Sequence, residues 1–159
     1  MRIAVGSDHA GYDLKAEIKR AVEEWGHEVV DMGSHAGEEG VDYPDYARAV
    51  AEAVARDEYD CGILICGTGL GVSITANKVP GVRAALCHET YTARMARSHN
   101  KANVLCMGGR VLGVGVATDV TRVWLETSYS GVDRHQRRVA KICALERDVC
   151  RGAEREKRC

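Results

Sequence analysis

Cys61-Gly62-Ile63-Leu64-Ile65-Cys66, followed at once by Gly67-Thr68-Gly69-Leu70-Gly71, is the stretch on which the fold turns. An unbroken apolar run of strand length, with no charge and no proline, predicts a strand buried on both faces, as in a parallel sheet. The glycines that follow predict a tight turn into a short helix running to about Lys78.

Working outward, the same alternation repeats. Ile3-Ala4-Val5 reads as a first strand. Leu14, Ile18, Ala21, Val22 and Trp25 then recur at helical spacing until Gly26 stops the helix. Residues 27–31 read as a second strand and 32–43 as a polar loop. Pro44 suits the first turn of a helix reaching about Arg56. Beyond the central run, strands are predicted over 82–87 and 104–107. Helices are predicted over 90–98 and 114–127, and another runs from Arg134 to about Val149. Strands alternating with helices imply an α/β fold, a three-layer α/β/α arrangement on a doubly wound five-stranded parallel sheet. The expected strand order is 2-1-3-4-5, with an extra C-terminal helix. Ligands bind such sheets where the winding reverses, here between strands one and three, beyond their carboxyl ends. Residues 1–150 are expected to form one domain and 151–159 a charged, disordered tail.

Composition narrows the function classes. The chain has 159 residues, 45% hydrophobic and 28% charged, with a net charge of −1. That balance offers no general attraction to nucleic acid or to an anionic membrane. No apolar run reaches the roughly 18 residues of a membrane span, and no basic-then-apolar leader opens the sequence. The expected location is cytoplasmic. The seven cysteines lack CxxC spacing, so neither a disulfide framework nor a zinc site is expected.

Several residues at predicted strand ends carry chemistry. Cys66 stands where a buried strand meets a glycine turn and a helix start, a place that favours a thiolate; the plain alternative is a buried structural thiol. Gly67, Gly69 and Gly71 expose backbone N–H groups able to bind a phosphate or a developing enediolate. No Lys-Ser/Thr follows, so this is not a P-loop, and a Cys-x5-Arg phosphatase would need arginine where Val72 stands. Asp8 and His9 suit a sugar hydroxyl and a phosphate, or else cap the helix beginning near Gly11. His99 and Asn100, expected between a helix and the fifth strand, suit proton transfer, or favourable contact with a helix C-terminus. Arg134 and Arg138 share a helix face at i, i+4 and, with Arg110, suit a phosphate; a solvated basic face is the alternative.

Five motifs in order, GSDHAGYDLK (6–15), VDYPDYA (41–47), CGTGLGVSITANK (66–78), HNKANVLCMGGR (99–110) and RHQRR (134–138), resemble the type B ribose-5-phosphate isomerases, a family that includes allose-6-phosphate and galactose-6-phosphate isomerases. The resemblance implies an aldose–ketose isomerase, with ribose 5-phosphate as substrate or, alternatively, a six-carbon sugar phosphate. It implies that Cys66 moves a proton from C2 to C1, and that the 67–71 backbone (Gly67, Gly69, Leu70, Gly71) with Thr68 and Ser73 stabilises the enediolate. It implies that His99 with Asp8 opens the ring, that His9, Arg110, Arg134 and Arg138 hold the phosphate, and that Tyr43 and Asn100 line the sugar site. It implies no metal or organic cofactor, and homodimers with shared active sites, in some members paired into tetramers. One departure is the stretch Gly131-Val132-Asp133-Arg134, a residue longer than the family's usual Gly-Gly before the arginine. A reading from another class is a non-catalytic phosphate or nucleotide binder, which would use the glycine loop without needing Cys66 and His99 together.

Overall fold

The computed structural model describes residues 1–35 and 40–156. Strands β1 (Arg2–Ser7), β2 (Glu28–Asp31), β3 (Cys61–Cys66), β4 (Ala84–Leu86) and β5 (Val104–Gly108) form one parallel sheet. Helices α1 (Tyr12–Glu24), α2 (Tyr43–Ala55), α3 (Leu70–Ala76), α4 (Thr90–Asn100) and α5 (Val114–Glu126) follow the strands in turn, and α6 (Asp133–Glu156) comes last. The strand residues alternate between two apolar layers, as a pleat requires. Ile63 and Ile65 face Leu14, Ile18, Ala93 and Trp124 of α1, α4 and α5. Leu64 and Cys66 face Val50 and Val72 of α2 and α3 on the other side. Burying each large aliphatic side chain stabilises the fold by about 1.5–3 kcal/mol. The three-layer α/β/α expectation therefore holds.

The strand order is 2-1-3-5-4, not 2-1-3-4-5. β5 pairs with β3 and every one of its residues is buried. β4 is three half-buried residues long and lies at the edge. A fully apolar strand belongs inside a parallel sheet, and a short one suits its rim. The Asn77 amide covers that rim: it donates to the Ala84 carbonyl at 2.9 Å and accepts from the Ala84 N–H at 3.0 Å.

Two further expectations shift. His99 and Asn100 lie in the last turn of α4 rather than between elements. The final helix reaches Glu156, so residues 151–156 continue α6. Of the loop expected over 32–43, residues 36–39 lie outside the described residues, as do 157–159 of the expected tail. Among the described residues no helix is long and apolar enough to cross a membrane.

Candidate active site

At the carboxyl end of the sheet, β3 stops at Cys66 because Gly69 turns the chain at φ 76°, a left-handed conformation that glycine adopts without strain. The turn brings the Gly69 N–H to 3.1 Å from the Cys66 sulfur. The sulfur is thereby held against the backbone of the glycine loop. Thr68 Oγ1 accepts from the Leu70 N–H at 3.3 Å, so part of the loop's donor set is held by the loop itself. The Gly109 N–H donates to the Cys66 carbonyl at 2.8 Å and the Arg110 N–H to the Gly67 carbonyl at 3.0 Å, clamping the loop to the end of β5. The Arg110 side chain lies over Gly67: a Cβ placed on Gly67 would be 3.6 Å from Arg110 Cδ. Tyr43, at the start of α2, fills the space beside Gly71, where a Cβ would come within 2.5 Å of its Cζ. Asp8 follows β1 and is buried; its Oδ1 accepts from the Gly11 N–H at 2.9 Å, so it caps the short turn His9–Gly11. His9 is exposed beside it. Ser73, one turn into α3, lies beside Cys106, whose deep burial pushes its thiol pKa up.

The remaining candidates lie elsewhere. α4 returns antiparallel to the sheet, so its last turn lies at the amino ends of the strands. The chain then re-enters the sheet at Asn103, whose carbonyl accepts from the Gly62 N–H at 2.9 Å. Cys66 pairs with Gly108 at the far end of the same strand. At about 3.3 Å per residue, the two ends of β5 are roughly 13 Å apart. His99 and Asn100 therefore sit at one end of the sheet and Cys66 at the other. Arg134 and Arg138 belong with His99, because the first turn of α6 packs there: the His135 ring stacks on His99 with centroids 4.0 Å apart. From that point α6 extends to the turn before β4, where Glu146 Oε1 accepts from the Gly81 N–H at 3.0 Å.

The sequence pattern of Ribose/Galactose Isomerase matches residues 3–142. The chain belongs to that family. It is 50% identical over 145 residues to ribose-5-phosphate isomerase B of Escherichia coli, covering 91% of this chain and 96% of that protein. The solved structure of Clostridium thermocellum ribose-5-phosphate isomerase B superposes with a TM-score of 0.91 at 53% identity, covering 94% of this chain and 99% of that one. The galactose-6-phosphate isomerase subunit LacB of Clostridium acetobutylicum is 39% identical over 145 residues, 91% of this chain and 83% of that protein. The resemblance carried by the five sequence motifs holds, and the chain is a sugar-phosphate isomerase.

Within this ribose/galactose isomerase the sequence motifs divide by position. Asp8, His9, Tyr43, Cys66, Thr68, Arg110 and the glycine loop gather at the carboxyl end; Ser73 is turned toward Cys106; His99, Asn100, Arg134 and Arg138 gather at the amino end. Among the described residues no cluster of three or more His, Cys, Asp or Glu is placed to hold a metal ion. Sequence reasoning passed over His135. It is the one buried residue between Arg134 and Arg138, at 3% exposure. A histidine on the inward side of an otherwise exposed arginine-rich turn was the signal for it.

Proposed function

We propose that this isomerase interconverts ribose 5-phosphate and ribulose 5-phosphate, with Cys66 as the proton-transfer base and a second copy of the chain completing each site. The observation that carries this reading is the Cys66 sulfur, held against the Gly69 N–H in a loop of backbone donors. The cysteine thiolate takes the C2 proton of the open-chain aldose. The electron pair moves into a C1–C2 double bond and charge develops on O1, where backbone N–H groups and Thr68 stabilise it. A proton passes from O2 to O1. The thiol then returns its proton to C1, leaving the carbonyl at C2. No atom is gained or lost.

The sugar must be opened first, and the phosphate must be held. His99 opens the ring with Asp8 on the opposite side. His9 and Arg110 hold the phosphate together with Arg134 and Arg138, while Tyr43 and Asn100 line the sugar. Because His99, Asn100, Arg134 and Arg138 lie at the amino end of the sheet, they serve the substrate bound beside the Cys66 of a partner chain. Exposed apolar side chains support such an assembly. Leu70 and Ile74 project from α3 next to the glycine loop, and Ile142, Leu145 and Val149 recur along α6. A two-fold dimer covers equivalent patches in pairs.

The 50% identity to ribose-5-phosphate isomerase B of Escherichia coli, against 39% to the galactose-6-phosphate isomerase subunit of Clostridium acetobutylicum, supports the five-carbon substrate. The test is a comparison of kcat/KM for ribose 5-phosphate, allose 6-phosphate and galactose 6-phosphate. Ribose 5-phosphate is expected to lead by at least about tenfold, the equivalent of 1.4 kcal/mol in transition-state binding. A six-carbon substrate turned over faster would overturn the assignment.

A further inference from the structure

His135 has no part in the steps above, yet it touches two residues that do. One face of its ring stacks on His99, with centroids 4.0 Å apart and planes inclined by 35°. Its Nε2 lies 3.2 Å from Arg134 Nε, which donates to it. Its Nδ1 lies 2.7 Å from Ser130 Oγ. A guanidinium has donors and no acceptor, so Nε2 must present its lone pair. The ring is therefore neutral, with its proton on Nδ1 and donated to Ser130. Ser130 is itself anchored, its N–H donating to the Ser98 carbonyl in α4 at 3.0 Å. Burial and the neighbouring His99, Arg134 and Arg138 all push the His135 pKa down, which keeps the ring neutral.

We infer that His135 is a positioning residue, a neutral Nδ1-protonated imidazole held by Ser130 that fixes the pose of the His99 ring and aims the Arg134 guanidinium. The inference rests on the roles given above to His99 and Arg134. The physical case is one of entropy. An exposed arginine has rotamer freedom to lose when it binds an anion. Holding its Nε by an uncharged acceptor removes part of that cost without neutralising the charge that the phosphate needs. A carboxylate in the same place would position Arg134 equally well but would compete with the substrate's phosphate. A neutral imidazole does not. The stack does the same for His99, whose ring must present one nitrogen to the sugar's ring oxygen.

The test uses the assembled protein, three variants and two readouts. Inorganic phosphate serves as a competitive inhibitor and reports the anchor without turnover; kcat on ribose 5-phosphate reports the His99 pose. His135→Phe keeps a flat ring and loses both hydrogen bonds. It should raise the phosphate inhibition constant by roughly tenfold, the loss of one charge-assisted contact, while kcat falls by less than about threefold. His135→Ala loses the stack as well, and kcat should fall by roughly a further tenfold. Ser130→Ala is the mildest change, should the others fold poorly. It frees the ring to place its proton on Nε2 and oppose Arg134, and the phosphate constant should rise about threefold. Melting temperature and assembly mass are followed throughout. A merely structural histidine would lower stability and leave the phosphate constant unchanged in the folded fraction, and that result overturns the inference. Arg134→Ala is the control. If it weakens phosphate binding and the His135 and Ser130 variants do not, the positioning role alone fails. If Arg134→Ala leaves phosphate binding unchanged, the underlying assignment fails and the inference goes with it.

Discussion

In the proposed reaction the two ends of this sheet meet the substrate with different materials. At the carboxyl end the groups are backbone N–H donors and one sulfur, held by a left-handed glycine and by ladder-like bonds from Gly109 and Arg110 to the end of β3. At the amino end they are long side chains on the last turn of α4 and the first turn of α6, and what orders them is other side chains, His135 and Ser130. Backbone donors are aimed by the fold itself and cost little to organise at the moment of reaction. Side chains on exposed turns are adaptable and need neighbours to hold them. The proposed mechanism accordingly assigns the charge that develops within the sugar to the carboxyl end, and the mobile, fully charged phosphate partly to the amino end.

The largest expected effect separates the chemistry of the two ends. Cys66→Ala removes the proposed base and should cut kcat by about 10²–10⁴-fold or more, with circular dichroism and assembly mass unchanged. Turnover near wild type in a folded Cys66→Ala protein ends the proposed mechanism. Cys61, at the other end of the same strand, is a contrast: burial pushes its pKa up to about 12, so it stays a thiol. Cys61→Ala should leave kcat within about twofold and cost stability only.

A second experiment asks whether the ends belong to different chains. Cys66→Ala and His99→Asn, each nearly inactive, are unfolded together and refolded as a mixture. Random pairing makes about half the dimers mixed. If Cys66 works with the partner's His99, each mixed dimer contains one intact site, and activity should return to about a quarter of wild type. With mixed dimers confirmed by mass, a mixture that stays inactive would show that both residues serve one site within a chain.

A smaller effect tests how the carboxyl end is built. Gly69→Ala should destabilise by about 2–5 kcal/mol, combining left-handed backbone strain with overpacking, because its Cβ would meet Leu86 Cδ1 at 2.5 Å and the Met107 carbonyl carbon at 2.7 Å. Gly26, at φ 83° with nothing within 4 Å, should cost only the backbone share, about 1–2 kcal/mol. Urea melts of the two variants compare them directly. Equal losses would mean that Gly69 is needed for its dihedral alone and not for its close approach to β5.

Much of this architecture is written in apolar periodicity. The run Cys61–Cys66 marks a buried strand to the residue, and the amphipathic repeats of Leu14, Ile18 and Val22 mark α1. Both are local properties of the chain. The order of β4 and β5 is not local: it depends on which strand has more apolar surface to bury between neighbours. Val104-Leu105-Cys106-Met107 outweighs Ala84-Ala85-Leu86, although both read simply as strands. The placement of His99 relative to Cys66 is not local either. The motifs name both residues, but only the antiparallel return of α4 shows that they face opposite ends of the sheet. His135 stayed hidden because its partners, Ser130, His99 and Arg134, converge only after α6 docks on α4.

The subtlest prediction concerns that histidine and acid. Its pKa is lowered in the folded protein by burial first, then by His99, Arg134 and Arg138. The unfolded chain, with an ordinary histidine value near 6.5, therefore binds more protons than the folded chain at pH values between the two. Stability rises with pH wherever the unfolded state holds the extra proton. Above about pH 6.5 the ring is neutral in both states and His135 costs nothing. As pH falls through that value toward the lower folded one, the wild type should lose stability. His135→Phe cannot take up a proton there, so its melting temperature should decline less between about pH 6.5 and 5. Phosphate must be absent from the buffer, since a bound anion would stabilise the folded state and mask the slope. Equal declines in the two proteins would mean that His135 titrates freely. It would then be no fixed acceptor for Arg134, and the amino end of the sheet would lose the one feature that makes its side chains as ordered as the glycine loop opposite.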